Sequence, residues 1–243
     1  GNAQPPENYN DAKKLAVAGA EENLALFLNM HAYKTEMDGG RIAAVLATDT
    51  RTGKDWRFPA RWFADCTGDG TVGFLAGADY RMGRESRAET GEELAPEEPD
   101  TMTMGSSVQW YSVESEGPSP FPDCPWAEPF TEETAQKVMV GKWDWETGMN
   151  RNQVTEIEYI RDHALRVIYG NWAFLKNQSA DKADYASRKL GWVAYVAGKR
   201  ESRRLLGDVV LQQQDIDFRR EFEDASVTTT WTIDLHYPEP TNS

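Results

Sequence analysis

The chain of 243 residues carries 26 Lys and Arg against 40 Asp and Glu, for a formal net charge of −14. That balance argues against a nucleic-acid or anionic-membrane surface, since either needs a basic face to meet phosphates. With 40% hydrophobic and 11% aromatic residues, the chain is long enough to bury a core of one or two domains without staples. Its longest apolar stretches, such as 24–28, fall far short of a membrane span.

The opening GNAQPPENYN has neither a basic start nor an apolar run, so it is not a signal peptide. A chain that begins at Gly1 reads as a processed piece with residues missing upstream, and the compartment, cytoplasmic or exported, stays open. Cys66 and Cys124 are far apart and give neither metal-ligand spacing nor a disulfide framework.

In chain order, the spacing of Ala12, Leu15, Ala16 and Ala18 predicts a short amphipathic helix over 10–19. Strand formers then dominate 23–34, 41–49, 56–59 and 61–66. The breaks at Asp38-Gly39-Gly40 and 50–55 read as hairpin turns, because glycine supplies the positive φ that tight turns need. A small antiparallel meander closed by a buried strand over 61–66 is expected. Beyond Tyr80, the acidic, proline-containing stretch 85–100 reads as an extended crossing and 101–112 as a returning strand. Residues 118–129, with five prolines, read as an irregular aromatic loop. Val154, Ile157, Ile160, Ala164, Leu165, Ile168, Trp172 and Leu175 recur at three and four residues, which predicts a long amphipathic core helix over about 152–177. A second helix is expected over 181–189, strand-like stretches over 192–197 and 205–211, and a last strand over 228–235. The sum is an α+β chain in two parts, 1–80 and 81–243.

Gly68-Asp69-Gly70-Thr71-Val72-Gly73 spells GxGxxG directly after a predicted strand, the context of a dinucleotide-binding turn. Asp69, however, sets a carboxylate where an anionic ligand should sit, and no second parallel strand follows. A nicotinamide dehydrogenase built on these glycines is therefore disfavoured.

The wider context fits another pattern. Ala64-Asp65-Cys66-Thr67-Gly68-Asp69-Gly70, with Leu75-Ala76-Gly77-Ala78 and Tyr80-Arg81-Met82-Gly83-Arg84-Glu85, resembles the opening signature of an FAD-dependent oxidoreductase family whose flavin fold is like that of glutathione reductase. Trp143-Asp144-Trp145-Glu146-Thr147-Gly148 looks like that family's WWWETG segment, and Ile160-Arg161-Asp162-His163 with Tyr169-Gly170 and Leu175-Lys176-Asn177 is similar to its following helix. Gly198-Lys199-Arg200-Glu201-Ser202-Arg203-Arg204, then Gly207-Asp208 and Leu211, looks like its GxRESRRxxGDyxL block, and Ile233-Asp234-Leu235-His236 like its iDiH strand. The blocks keep the family's order from about Phe63 to His236. The family's first strand and GxGxxG turn, and its closing flavin segment, have no counterpart here. The resemblance therefore implies an internal fragment. Residues 1–80 would be part of an FAD-binding domain and 81–243 a substrate or cap region, in a piece expected to fold, to hold no FAD and to be inactive alone.

The resemblance also sets the candidate residues. Thr67, Gly68, Asp69 and Gly70 are the expected flavin contacts, through a hydroxyl, backbone N–H groups and a carboxylate that reach phosphate or ribityl oxygens. The alternative is a tight turn with Asp69 capping the next helix. Arg200 and Arg203, with Arg204 beside them, would hold a carboxylate or polar substrate or stabilise an anionic reduced flavin, or else make ion pairs. His236 is the candidate for proton transfer near neutral pH, with a structural role as the alternative. His31 and His163 read as structural. The 143–146 cluster would stack a ring or fill core.

Two functions compete. In the first, FAD accepts a hydride from a small organic substrate, with a carbohydrate-related one among the candidates. The second is a non-redox carbohydrate-binding or carbohydrate-cleaving protein, suggested by nine Trp and many carboxylates, although no carboxylate pair stands out by spacing. No metal is expected.

Overall fold

The computed structural model describes residues 10–225, 228 and 233–236. In chain order the elements are α1 (Asp11–Gly19), β1 (Met30–Asp38), β2 (Arg41–Asp49), β3 (Asp55–Pro59), α2 (Thr71–Leu75), β4 (Tyr80–Arg81), α3 (Arg87–Thr90), β5 (Ser106–Ser107) and β6 (Trp110–Glu114). They continue with β7 (Val140–Gly141), β8 (Glu146–Thr147), α4 (Ile157–Asn177), α5 (Lys182–Tyr185), β9 (Arg188–Val193), β10 (Arg204–Leu205) and α6 (Gln213–Asp217). Small antiparallel sheets and helices of unequal length make this an α+β chain. It divides into two compact units, Gly1–Arg81 with Arg203–Asp208, and Met82–Ser202 with Val209–Ser243. The return of Arg203–Asp208 to the first unit was not legible in the sequence.

In the first unit, Asn10 caps α1 by accepting from the Lys13 N–H at 2.9 Å. No residue of α1 is buried against the described residues, so its expected apolar face stays exposed there. The meander β1-β2-β3 forms as the pattern predicts. Asp38 pairs with Arg41 across Gly39 and Gly40, at φ 53° and 86°, the geometry that matches a two-residue turn to strand twist. β1 starts later than the expected residue 23. Asn29, at φ 59°, breaks the extended run, and its carbonyl accepts from the N–H and hydroxyl of Thr50.

The buried strand expected over 61–66 does not form. Among the described residues no segment lies beside it as a ladder partner, and most of its residues are exposed. Asp65 instead turns its carboxylate to the backbone that follows, a local bond that competes with strand pairing.

In the second unit, Ile160, Ala164, Ile168 and Trp172 on α4 are all buried, a four-residue stripe on one helical face. Ala164, Ile168 and Trp172, with Leu175, pack on Trp110, Val108 and Tyr185. Trp110 meets Trp172 and Trp145 edge-on at 5.7 and 5.2 Å, the arrangement that ring quadrupoles favour. Gly170 lets α4 approach the chain at Glu128, whose carbonyl oxygen would lie 2.0 Å from a Cβ there.

The helix starts at Ile157 rather than 152 because Asn152 accepts from the N–H groups of Val154 and Thr155, a side-chain turn that competes with the helix. Other boundaries differ too. The 85–100 crossing contains α3, and 101–112 splits into β5 and β6. The 181–189 helix is only α5, giving way to β9, whose residues pair with β6 from Arg188 onward. Of the strand-like stretches, 192–197 is extended only to Val193 and 205–211 only at Leu205, with α6 following. Of the strand expected over 228–235, residues 229–232 lie outside the described residues, and 228 and 233–235 are in no strand.

Candidate functional site

The glycine turn of the first unit is built by Asp65 and Thr67. The Asp65 carboxylate accepts from the Thr67 N–H at 3.0 Å, the Thr67 hydroxyl at 2.7 Å and the Gly73 N–H at 3.0 Å. Burial raises the Asp65 pKa, but these hydrogen bonds outweigh it and hold the group below the ordinary aspartate value. The Thr67 hydroxyl in turn accepts from the Thr71 N–H at 2.8 Å. The N-cap of α2 is Gly70 at φ 58°, with no side-chain cap bond. The alternative of Asp69 as the cap is therefore wrong: Thr67 and Asp65 already satisfy the first-turn N–H groups.

Arg203 belongs to the same unit. Its guanidinium donates to the Asp69 carbonyl at 3.2 Å and lies over the ring of Phe74 at 3.9 Å and of Tyr80 at 5.7 Å. A planar cation suits both partners, stacking on a ring while its edge donates. Thr67, Gly68, Asp69, Gly70 and Arg203 thus come together.

A second cluster lies within the other unit. Ser107 of β5 pairs with Glu146 of β8 on one side and bridges to Gly198 on the other, and its hydroxyl donates to the Trp143 carbonyl at 2.6 Å. This short ladder brings Glu146 and Arg200 together. Arg200 Nη1 lies 3.0 Å from Glu146 Oε1 and donates to the Trp143 carbonyl at 3.4 Å. His236 places Nδ1 2.8 Å from the same oxygen and Nε2 3.0 Å from Arg200 Nη2. The Trp143 ring closes the cluster, 5.6 Å from the imidazole and 5.4 Å from the guanidinium.

The Glu146 side chain is 4% exposed. Both its oxygens are sealed from solvent and neither meets a well-aligned donor. Burial pushes its pKa up, and the Arg200 charge and the His236 side chain oppose that rise. The side of Trp143 also lines a cleft of about 560 Å³, walled by Trp192 and Tyr195, with Ser107, Gln109 and Lys199 as polar groups.

His31 and His163 join neither cluster. Burial lowers the His163 pKa, against the pull of Glu128. Among the described residues no group of three or more His, Cys, Asp or Glu is placed to hold a metal ion, and no helix is long and apolar enough to cross a membrane.

A family model described as FAD dependent oxidoreductase matches residues 5–243. The chain belongs to the FAD dependent oxidoreductase family. Its cofactor is accordingly FAD, and its function is flavin redox chemistry. No curated protein and no solved structure matches the chain.

The donor chemistry of this flavoenzyme's glycine turn fits the cofactor. Among the described residues, the N–H groups of Gly68 and Gly70 meet no protein acceptor. A Cβ at Gly68, at φ 82°, would meet nothing within 4 Å. The Gly68 donor beside open space suits a phosphate or ribityl oxygen, whereas the Cβ side of Gly70 is packed by Leu205. Sequence reasoning missed Asp65 and Glu146. Both stand inside the quoted motifs, but only the fold shows that Asp65 braces the turn and that Glu146 turns inward.

Proposed function

We propose that this flavoenzyme oxidises a small, carbohydrate-related substrate, with the 67–70 turn in contact with FAD and with Arg200 and His236 at the reacting atoms. FAD, when bound, supplies the two-electron acceptor for the substrate's hydride. The protein's task is then to orient the substrate and take the accompanying proton.

His236 takes that proton, because imidazole matches near-neutral proton transfer. Arg200, held by Glu146 and the Trp143 carbonyl, points positive charge at the substrate oxygen as its proton leaves. Arg203 is a positioning residue that props the turn through the Asp69 carbonyl. The observation that carries this reading is the mutual contact of Arg200, His236 and Glu146 beside Trp143. The aromatic cleft along Trp143 supports a ring-shaped substrate with polar edges.

The test is anaerobic flavin reduction in the full-length protein with a panel of sugars and sugar derivatives. His236→Asn and Arg200→Gln should each slow reduction by roughly 10²-fold or more, the range for general acid–base catalysis. Variants that reduce flavin at the parent rate would remove these two residues from the chemistry. Saturable glycan binding with no flavin reduction would select a non-redox carbohydrate protein.

A further inference from the structure

We infer that Glu146 is a positioning residue that fixes the proton of neutral His236 on Nδ1 and thereby leaves Nε2 as the base. The inference rests on the role proposed for His236 and is carried by counting donors. A guanidinium has N–H donors and no acceptor, so Arg200 Nη2 at 3.0 Å from Nε2 requires a bare lone pair on that nitrogen. Neutral imidazole then carries its hydrogen on Nδ1, and the carboxylate oxygen nearest Nδ1 is Glu146 Oε1 at 2.8 Å, off the N–H axis, so that its negative charge rather than an aligned hydrogen bond favours the proton on that nitrogen.

The other charged neighbours do not change this assignment. Asp234 Oδ2 is 3.5 Å from Nε2, with its side chain 56% exposed, beyond the usual hydrogen-bond distance. Asp144 is felt at Glu146, where its charge raises the pKa. The Trp143 ring meets the imidazole at a steep angle, 64° between planes, and offers no acceptor to either nitrogen.

During turnover, a substrate hydroxyl replaces the Arg200 contact at Nε2. Its O–H bond would break, the proton bonding to Nε2 and the electron pair staying on oxygen to form the carbonyl; FAD, when bound, would supply the acceptor for the hydride that leaves carbon. The imidazolium's charge is met by the Glu146 carboxylate, the arrangement in which a buried carboxylate orients a catalytic histidine. Arg200 keeps its hold on the Trp143 carbonyl.

Long-range ¹H–¹⁵N correlation spectra of the full-length protein read the tautomer directly. The parent should show His236 protonated at Nδ1 with Nε2 bare. Glu146→Leu, of similar volume and without an acceptor, should shift the Nδ1–H to Nε2–H ratio at least tenfold toward Nε2–H. A carboxylate that merely filled space would leave the ratio unchanged in the leucine variant, and that result overturns the inference. An Nε2–H tautomer in the parent overturns it as well, and this arm stands even if the leucine variant does not fold. The two readings fail separately. Nε2–H in a protein whose flavin is still reduced through His236 removes the role of Glu146 alone, whereas Nδ1–H with parent-rate reduction by His236→Asn removes the role of His236 in the chemistry.

Discussion

Glu146 carries a pH dependence whose sign follows from its surroundings. Burial lifts its pKa above the ordinary glutamate value, so the folded protein binds this proton more tightly than the unfolded chain. The associated stability is full below the ordinary glutamate pKa and is lost as pH rises through the raised value. Glu146→Gln removes the titration, and its denaturation midpoints should change less across that window than the parent's. Arg200→Gln removes the largest charge that opposes the rise, so the Glu146 carboxyl carbon in ¹³C spectra should titrate at still higher pH. Arg203 is a simpler case. Arg203→Ala loses one hydrogen bond and a ring contact and should destabilise the first unit by ~1–2 kcal/mol in urea melts. Loss of nothing measurable would mean that the turn stands without it. At this scale, the sequence pointed to Arg200, Arg203 and His236 through residue chemistry and motif order. It left Glu146 among ring-bearing neighbours, because a motif does not say which side chains turn inward.

The elements that periodicity could reach were legible: the meander, with Gly39 and Gly40 at its first turn, and α4, with its four-residue stripe ending at Trp172. Segments decided by local side-chain bonds were not. Asp65 diverts 61–66 from strand to brace, and Asn152 delays α4 by a turn. Burial and alternation alone do not distinguish an extended brace from a strand, since a strand exists only if a partner backbone lies alongside. The tightest test of α4 packing is Gly170→Ala. Its added carbon would fall 2.0 Å from the Glu128 carbonyl oxygen, a backbone atom that cannot swing aside. A loss of ~3 kcal/mol is expected, at the upper end for overpacking, as measured by thermal and urea unfolding. A variant as stable as the parent would show that the 128 region yields.

For the whole molecule, the net charge of −14 excludes a mainly electrostatic nucleic-acid role but does not weigh against a flavin phosphate. Under the proposed reading, anion recognition at the 67–70 turn is local, through backbone N–H groups rather than net charge. The chain's membership of the FAD dependent oxidoreductase family, with the match running over residues 5–243, sets the class of chemistry. The most direct measurement is the absorbance spectrum of the full-length protein after incubation with FAD and removal of the excess. Bound flavin absorbance that bleaches when substrate is added without oxygen is the expected result; a protein that stays colourless after that incubation would contradict the flavin assignment.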